Sequence, residues 1–173
     1  MAPWGSIHPM GAIRFTTVPS PVGELTLAAS ERGLTCLLFE QWAHGPGRTG
    51  WLPDDGSAIL AAARTQLAEY FDHQRTRFDV PLDLRGTPFQ VEVWQALRSI
   101  PFGVTISYGE LARRVHSKNG FRAVGAANGR NPVAIIVPCH RVIGANGDLT
   151  GFGGGIERKR WLLDHERGVT ALL

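Results

Sequence analysis

The residues Ser107-Tyr108-Gly109-Glu110-Leu111-Ala112-Arg113-Arg114-Val115, followed after a polar interval by Arg122-Ala123-Val124-Gly125-Ala126-Ala127-Asn128, decide how this chain is read. Ser107 carries an oxygen that can cap the free N–H groups of a helix start, which predicts a helix over Tyr108 to Val115. The alanines and glycine of the second segment predict another short helix and let its backbone approach a surface closely. Two short helices with a tight connection have the outline of a helix-turn-helix, although helix pairs of this kind are common and most bind nothing.

Upstream of these helices, Thr87-Pro88 is a helix start with proline at the first position, and Phe89, Val93, Trp94 and Leu97 form one apolar stripe before Pro101-Phe102-Gly103 ends the element. A last helix is predicted from about Ile156 to Glu166, with Trp161, Leu162 and His165 facing inward. In the first half, Ile13 to Val18, Gly23 to Ala29 and Gly33 to Phe39 read as an antiparallel meander, with Pro19-Ser20-Pro21-Val22-Gly23 as turn chemistry. The Trp42 to Arg48 segment is too rich in glycine and proline for regular structure. Ser57 is the expected N-cap of a helix running to His73, and Phe78 to Leu84 is expected to be a short strand. The fold class is therefore α+β. A small three-stranded antiparallel sheet with a helix (residues 1–85) precedes a mostly helical domain with a helix-turn-helix (residues 86–173).

Composition narrows the function. With 173 residues, 43% hydrophobic and 19% charged, the chain can bury a real core. The net charge is +3, and Arg98, Arg113, Arg114, Lys118, Arg122, Arg130 and Arg141 concentrate basic character in the second half, where either a polyanionic partner or ordinary solvated helix faces would explain it. Two distant cysteines, Cys36 and Cys139, indicate neither a disulfide framework nor a metal site, and a reducing cytoplasm is expected. No segment reaches the roughly 18 apolar residues of a membrane span, and the start of the chain lacks a secretory leader pattern. Met10 is a second possible initiation point.

Chemistry concentrates in Ile135-Ile136-Val137-Pro138-Cys139-His140-Arg141-Val142-Ile143. A thiol set between apolar runs behind a rigid proline, with imidazole and guanidinium beside it, is placed to become a thiolate nucleophile. Most intracellular cysteines are small buried hydrophobes, so the pair alone leaves both readings open.

Several motifs in order, Ser107-Tyr108-Gly109-Glu110-Leu111-Ala112, Arg122-Ala123-Val124-Gly125, Asn131-Pro132 and Pro138-Cys139-His140-Arg141-Val142, resemble the O6-alkylguanine-DNA alkyltransferases over about residues 86–168. The resemblance implies a ribonuclease H-like outline for the first half and a winged-helix-like second half. It implies a single-turnover DNA repair enzyme without a cofactor, acting as a monomer on double-stranded DNA, with cooperative binding left open; some relatives hold a structural zinc in the first half, but Cys36 is the only cysteine there and no metal is expected. Guanine alkylated at O6, and thymine alkylated at O4, would rotate out of the duplex and pass the alkyl group to Cys139. His140 would take the thiol proton through a water, Glu166 would orient the imidazole, and Asn131 would brace the turn. Arg122 would fill the vacated place in the stack, with Ala123, Gly125 and Ala126 against the minor groove. Tyr108, Val142, Phe152, Gly153 and Gly154 would form the base pocket, Tyr108 donating its hydroxyl. The carbonyls of Cys139 and Val142 would read the exocyclic amine, and the Gly153 N–H would face the reacting oxygen. Two positions depart from the family pattern: Phe121 stands beside Arg122 where small residues are usual, and position 152 is phenylalanine where relatives often have tyrosine. A non-catalytic binder of alkylated DNA and a multiple-turnover cysteine hydrolase are the competing readings.

Overall fold

The computed structural model describes residues 11–168; the stretch up to Met10 and the last five residues lie outside it. Three antiparallel strands, β1 (Arg14–Val18), β2 (Leu25–Ala29) and β3 (Leu34–Phe39), form the sheet, with Phe15 opposite Ala28 and Leu27 opposite Leu37. A two-residue strand, β4 (Leu52–Pro53), adds parallel to the outer edge of β1 and gives the order β3-β2-β1-β4. Sequence did not signal β4. A two-residue ladder carries no periodicity, and only the return of the chain past β1 makes it a strand.

Helix α1 (Ala58–Phe71) is capped by Ser57, whose side chain accepts from Leu60 N–H, and packs Leu60, Ala63 and Leu67 onto the sheet. It stops at Phe71, short of the expected His73, which sits in the left-handed region at φ 58°. The expected strand at Phe78 to Leu84 is a second correction: only Leu82 bridges to Leu34, and the rest is extended chain without a ladder. Pro81 has no N–H to donate, and β3 spends the remainder of that edge elsewhere. Gly33 permits the one close contact made there, since a Cβ would stand 2.7 Å from the Pro81 and Leu82 backbone.

The other partner of the β3 edge positions the site. Leu37 N–H donates to Pro132 O at 2.9 Å and Ala134 N–H donates to Leu37 O at 3.1 Å. The sheet thus grips the chain five residues before Cys139.

In the second half, α2 (Pro88–Leu97) begins with a capping box in which Thr87 and Gln90 satisfy each other's backbone N–H groups. Helix α3 (Tyr108–Arg114), capped by Ser107, and helix α4 (Gly120–Gly129) form the helix-turn-helix. Trp94, 1% exposed, donates its indole N–H to Ala127 O at 2.8 Å and fixes α2 against α4. Strand β5 (Ile106–Ser107) pairs in parallel with β6 (Val142–Ile143), which brings α3 beside the chain leaving Cys139. Helix α5 (Ile156–Glu166) closes the fold, with Leu162 and His165 buried and Trp161 half-buried and stacked on His165. One apolar core runs from β2 and β3 through α2 to Val137 and Cys139, with each fully buried Leu, Val or Ile contributing about 1.5–3 kcal/mol.

Candidate active site

Cys139 lies at the start of a 3-10 turn (Cys139–Arg141), behind two very tight turns in which Ile136 N–H donates to Ala134 O at 2.7 Å and Cys139 N–H donates to Val137 O at 2.8 Å. Ile135 adopts φ 68°, a conformation that costs a β-branched residue on the order of 1–3 kcal/mol. Its side chain is wholly buried, and Asn131 locks the same turn from inside: Asn131 Nδ2 donates to Val137 O at 2.7 Å while its Oδ1 accepts from Val133 N–H at 3.0 Å. Burial and these bonds hold a strained backbone that a free chain would leave, and so fix the direction of the Cys139 side chain.

Behind the cysteine sits a buried ionic cage. His140 Nε2 lies 2.7 Å from Glu166 Oε1, with the two side chains 0% and 1% exposed. Arg141 donates from Nε to Glu166 Oε2 and from Nη2 to Oε1, both at 2.9 Å, and from Nη1 to Ile100 O at 2.6 Å. Tyr70 donates its hydroxyl to Oε1 at 2.8 Å, and Gly103 N–H reaches Oε2 at 3.2 Å. Glu166 therefore has a charged, bidentate partner and three further donors, the condition under which a buried carboxylate stays ionised.

These contacts set the protonation states. Burial pushes Glu166 upward, yet its hydrogen bonds and charge attraction to His140 and Arg141 outweigh that and hold the carboxyl far below its ordinary value. Burial lowers His140 below 6.5 despite the opposing pull of Glu166. A neutral imidazole whose Nε2–H donates to the carboxylate presents Nδ1 as a lone pair, and Nδ1 is buried without a protein hydrogen-bond partner. The positive groups beside Cys139 do not make it a standing thiolate. Burial pushes its thiol up to about 11, although Asn131 and Lys159 both act to lower it. With the residue 1% exposed, loss of hydration outweighs the nearby positive charges, and the group rests as a thiol beside a base.

Sequence reasoning missed Tyr70 and Lys159 in this site and gave Arg141 no bond to Glu166. Arg141 and Tyr70 complete the cage, and Lys159 is wholly buried near Cys139. Its Nζ donates to Val142 O at 2.7 Å and to Thr150 O at 3.3 Å, and stands 5.8 Å from the Tyr108 ring centre. Burial lowers its pKa to about 8. A lysine at helical spacing inside the run Ile156 to Glu166 reads as a solvated face, and nothing local distinguished it.

The remaining predicted residues fall around this centre. Tyr108 is half-buried, donates its hydroxyl to Thr150 O at 3.1 Å, and packs against α4, where a Cβ on Gly125 would stand 3.8 Å from its ring. Val142 O is engaged by Lys159, and Cys139 O accepts from Asn128 Nδ2 at 3.4 Å. On α4, Arg122 and Ala126 are exposed, Ala123 and Gly125 half-buried, and Phe121 is 60% exposed. Phe152, Gly153 and Gly154 form a rim that packs on Phe39 and Trp42 of the first half. Among the described residues no cluster of His, Cys, Asp and Glu is arranged to hold a metal.

Fold and site together define a two-part α+β protein in which a buried cysteine, backed by a histidine and a carboxylate, stands beside a helix-turn-helix. Family models match in both parts: the ribonuclease-like domain of 6-O-methylguanine DNA methyltransferase over residues 13–84 and its DNA binding domain over residues 88–168. A methylated-DNA--protein-cysteine methyltransferase of Mycobacterium tuberculosis is 54% identical over 155 residues, 90% of this chain and 93% of the relative. The constitutive enzyme of that name from Bacillus subtilis is 45% identical over 156 residues, 88% and 94% of the two chains. A crystal structure of M. tuberculosis OGT in complex with DNA superposes with a TM-score of 0.83 at 52% identity, covering 91% of this chain and 94% of that one. The chain belongs to the 6-O-methylguanine DNA methyltransferase family.

Proposed function

We propose that this protein repairs DNA by moving the alkyl group of O6-alkylguanine onto Cys139 in a single, irreversible turnover, with O4-alkylthymine as a second substrate. The observation that carries the reading is the buried thiol of Cys139 next to a neutral His140 whose Nε2–H is held by Glu166 at 2.7 Å. In the reaction the thiol proton passes through a bridging water to His140 Nδ1. Sulfur then bonds to the alkyl carbon as the carbon–oxygen bond breaks, and the electron pair remains on the guanine, which takes up a proton and leaves as the ordinary base. Tyr108 donates its hydroxyl to that base, exchanging Thr150 O for the substrate. Asn131 holds the acceptor turn in place.

The target atom is enclosed in the duplex, so the nucleotide must be everted, at a few kcal/mol. Helix α4 supplies the means: Arg122 is exposed at its outer face and fills the vacated stack, while Ala123, Gly125 and Ala126 allow the backbone to lie in the minor groove. The everted base is received between Tyr108, Val142 and the Phe152–Gly153–Gly154 rim. Transfer leaves a thioether with no acceptor to reverse it, so one protein serves one lesion. A cytoplasmic setting follows, since the acceptor sulfur must remain reduced. No helix among the described residues is long and apolar enough to cross a membrane.

The test is intact-protein mass after incubation with duplex carrying O6-methylguanine. One methyl per chain, mapped to Cys139, is the expected result. Binding with no mass change would instead make the protein a non-catalytic binder, and product in excess of protein would make it a hydrolase.

A further inference from the structure

The rim of the proposed base pocket is braced from the other half of the chain. Trp42 meets Phe152 edge to face at 5.7 Å between ring centres, and Phe39 meets Trp42 at 5.6 Å and Phe152 at 5.8 Å. Ala43 N–H donates to Gly153 O at 3.3 Å. A Cβ at Gly153 would lie 3.0 Å from the Trp42 ring, and one at Gly154 would lie 2.5 Å from Phe39. The rim glycines thus carry no side chain because the two aromatic rings occupy that space. Arg158 ties the same region together: it donates to Val22 O at 2.8 Å and Gly154 O at 3.0 Å, with its guanidinium 5.5 Å from the Phe39 ring centre.

One further observation concerns Trp42 and another the rim it presses on. Its indole Nε1 is enclosed without a hydrogen-bond partner, so the ring is held by packing alone. A cleft of about 610 Å³ lined by Gln41 and by residues 152–158, but by neither Cys139 nor Tyr108, lies beside the rim. Phe152 to Gly154 can therefore shift if the ring that presses on them is removed.

We infer that Trp42 is a positioning residue that sets the largest alkyl group the pocket accepts, by fixing the Phe152–Gly154 rim from the N-terminal half. This rests on the proposed alkyl transfer. With the ring present, the rim stays close to the reacting carbon and favours methyl; without it, the rim yields to a bulkier group. The indole nitrogen makes no hydrogen bond to the sulfur, so the effect falls on the comparison between substrates.

The experiment measures single-turnover alkylation of Cys139, by intact mass, on duplexes carrying O6-methylguanine or O6-benzylguanine. For Trp42→Ala the benzyl-to-methyl rate ratio should rise about fivefold or more, within the range that pocket fit supplies. Trp42→Leu should move it in the same direction, which covers poor folding of the alanine variant. Trp42→Phe keeps a ring but loses three heavy atoms along with the unpaired N–H, so its ratio should rise less than that of Trp42→Ala. Gly153→Ala should slow methyl transfer more in the presence of Trp42 than in Trp42→Ala, because the clash is then relieved. A benzyl-to-methyl ratio in Trp42→Ala that stays near wild type, whether both rates hold or fall together, or that falls, overturns the inference; equal slowing by Gly153→Ala in both backgrounds does so too. If wild type takes up neither group, the proposed function fails first, and that outcome is read separately from the ratio.

Discussion

Glu166 and Arg122 are charged residues of the same half of the chain, built to opposite rules. The Glu166 side chain is 1% exposed and accepts from His140, Arg141, Tyr70 and Gly103, whereas Arg122 is exposed on α4 and makes none of the hydrogen bonds or ion pairs among the described residues. The buried cage pays its desolvation through redundant partners and gains a fixed geometry. Arg122 is held by no such partner among the described residues, so in the proposed finger role it would take its geometry from DNA. On the proposed function, chemistry sits where the structure is over-determined and recognition where it is sparse.

The comparison is tested most severely at the acceptor itself. Cys139→Ala should abolish alkyl uptake while leaving binding to lesion-bearing duplex, read by mass and by a mobility shift on the same sample. Glu166→Gln keeps the shape of the cage but removes its charge and leaves Arg141 and His140 short of an anion. Transfer should slow about a hundredfold or more, with about 3–5 kcal/mol lost in denaturant unfolding. Arg122→Ala should show the reverse pattern: about tenfold slower repair of duplex, little change on the free modified base, and unfolding stability within about 0.5 kcal/mol of wild type. Equal losses on both substrates would remove the finger role. Smaller again, methylation of Cys139 adds a carbon to a site that is 1% exposed, and the alkylated protein should be less stable by about 1–3 kcal/mol, seen as a lower melting temperature.

Acidity gives the finest discrimination. The thiol is held up to about 11 and His140 below 6.5, so a proton passed within the site predicts a transfer rate that is nearly flat from about pH 7 to 9 and falls only below 6.5, as the imidazole charges. A rate climbing tenfold per pH unit through that range would mean that solvent, not His140, removes the proton. Stability follows the same group. Because burial lowers the folded pKa of His140, the unfolded chain binds its proton more readily, and stability should decline as the pH drops through 6.5.

Much of this was legible before folding was considered. Ser57, Thr87 and Ser107 each announced a helix start and each caps one, because a cap is a bond between a side chain and backbone only three residues away. The expected strand at Phe78 to Leu84 failed for a complementary reason: alternation describes what a segment could do, but the β3 edge had already committed part of its length to Pro132 and Ala134. Tyr70 and Lys159 were invisible for want of any local signature, since each reads as an ordinary member of an amphipathic helix.

By itself the sequence determined the helix starts, the three strands of the meander, the order of motifs and the proposed acceptor, all of which depend on residues close along the chain. Only the tertiary structure decided which groups complete the site, by placing Tyr70 against Glu166 across 96 positions and Trp42 against the Phe152 rim. It also decided that Cys139 rests as a thiol rather than a thiolate. Ionisation depends on how much water surrounds the sulfur, and that is fixed by what packs around it rather than by its neighbours in the chain.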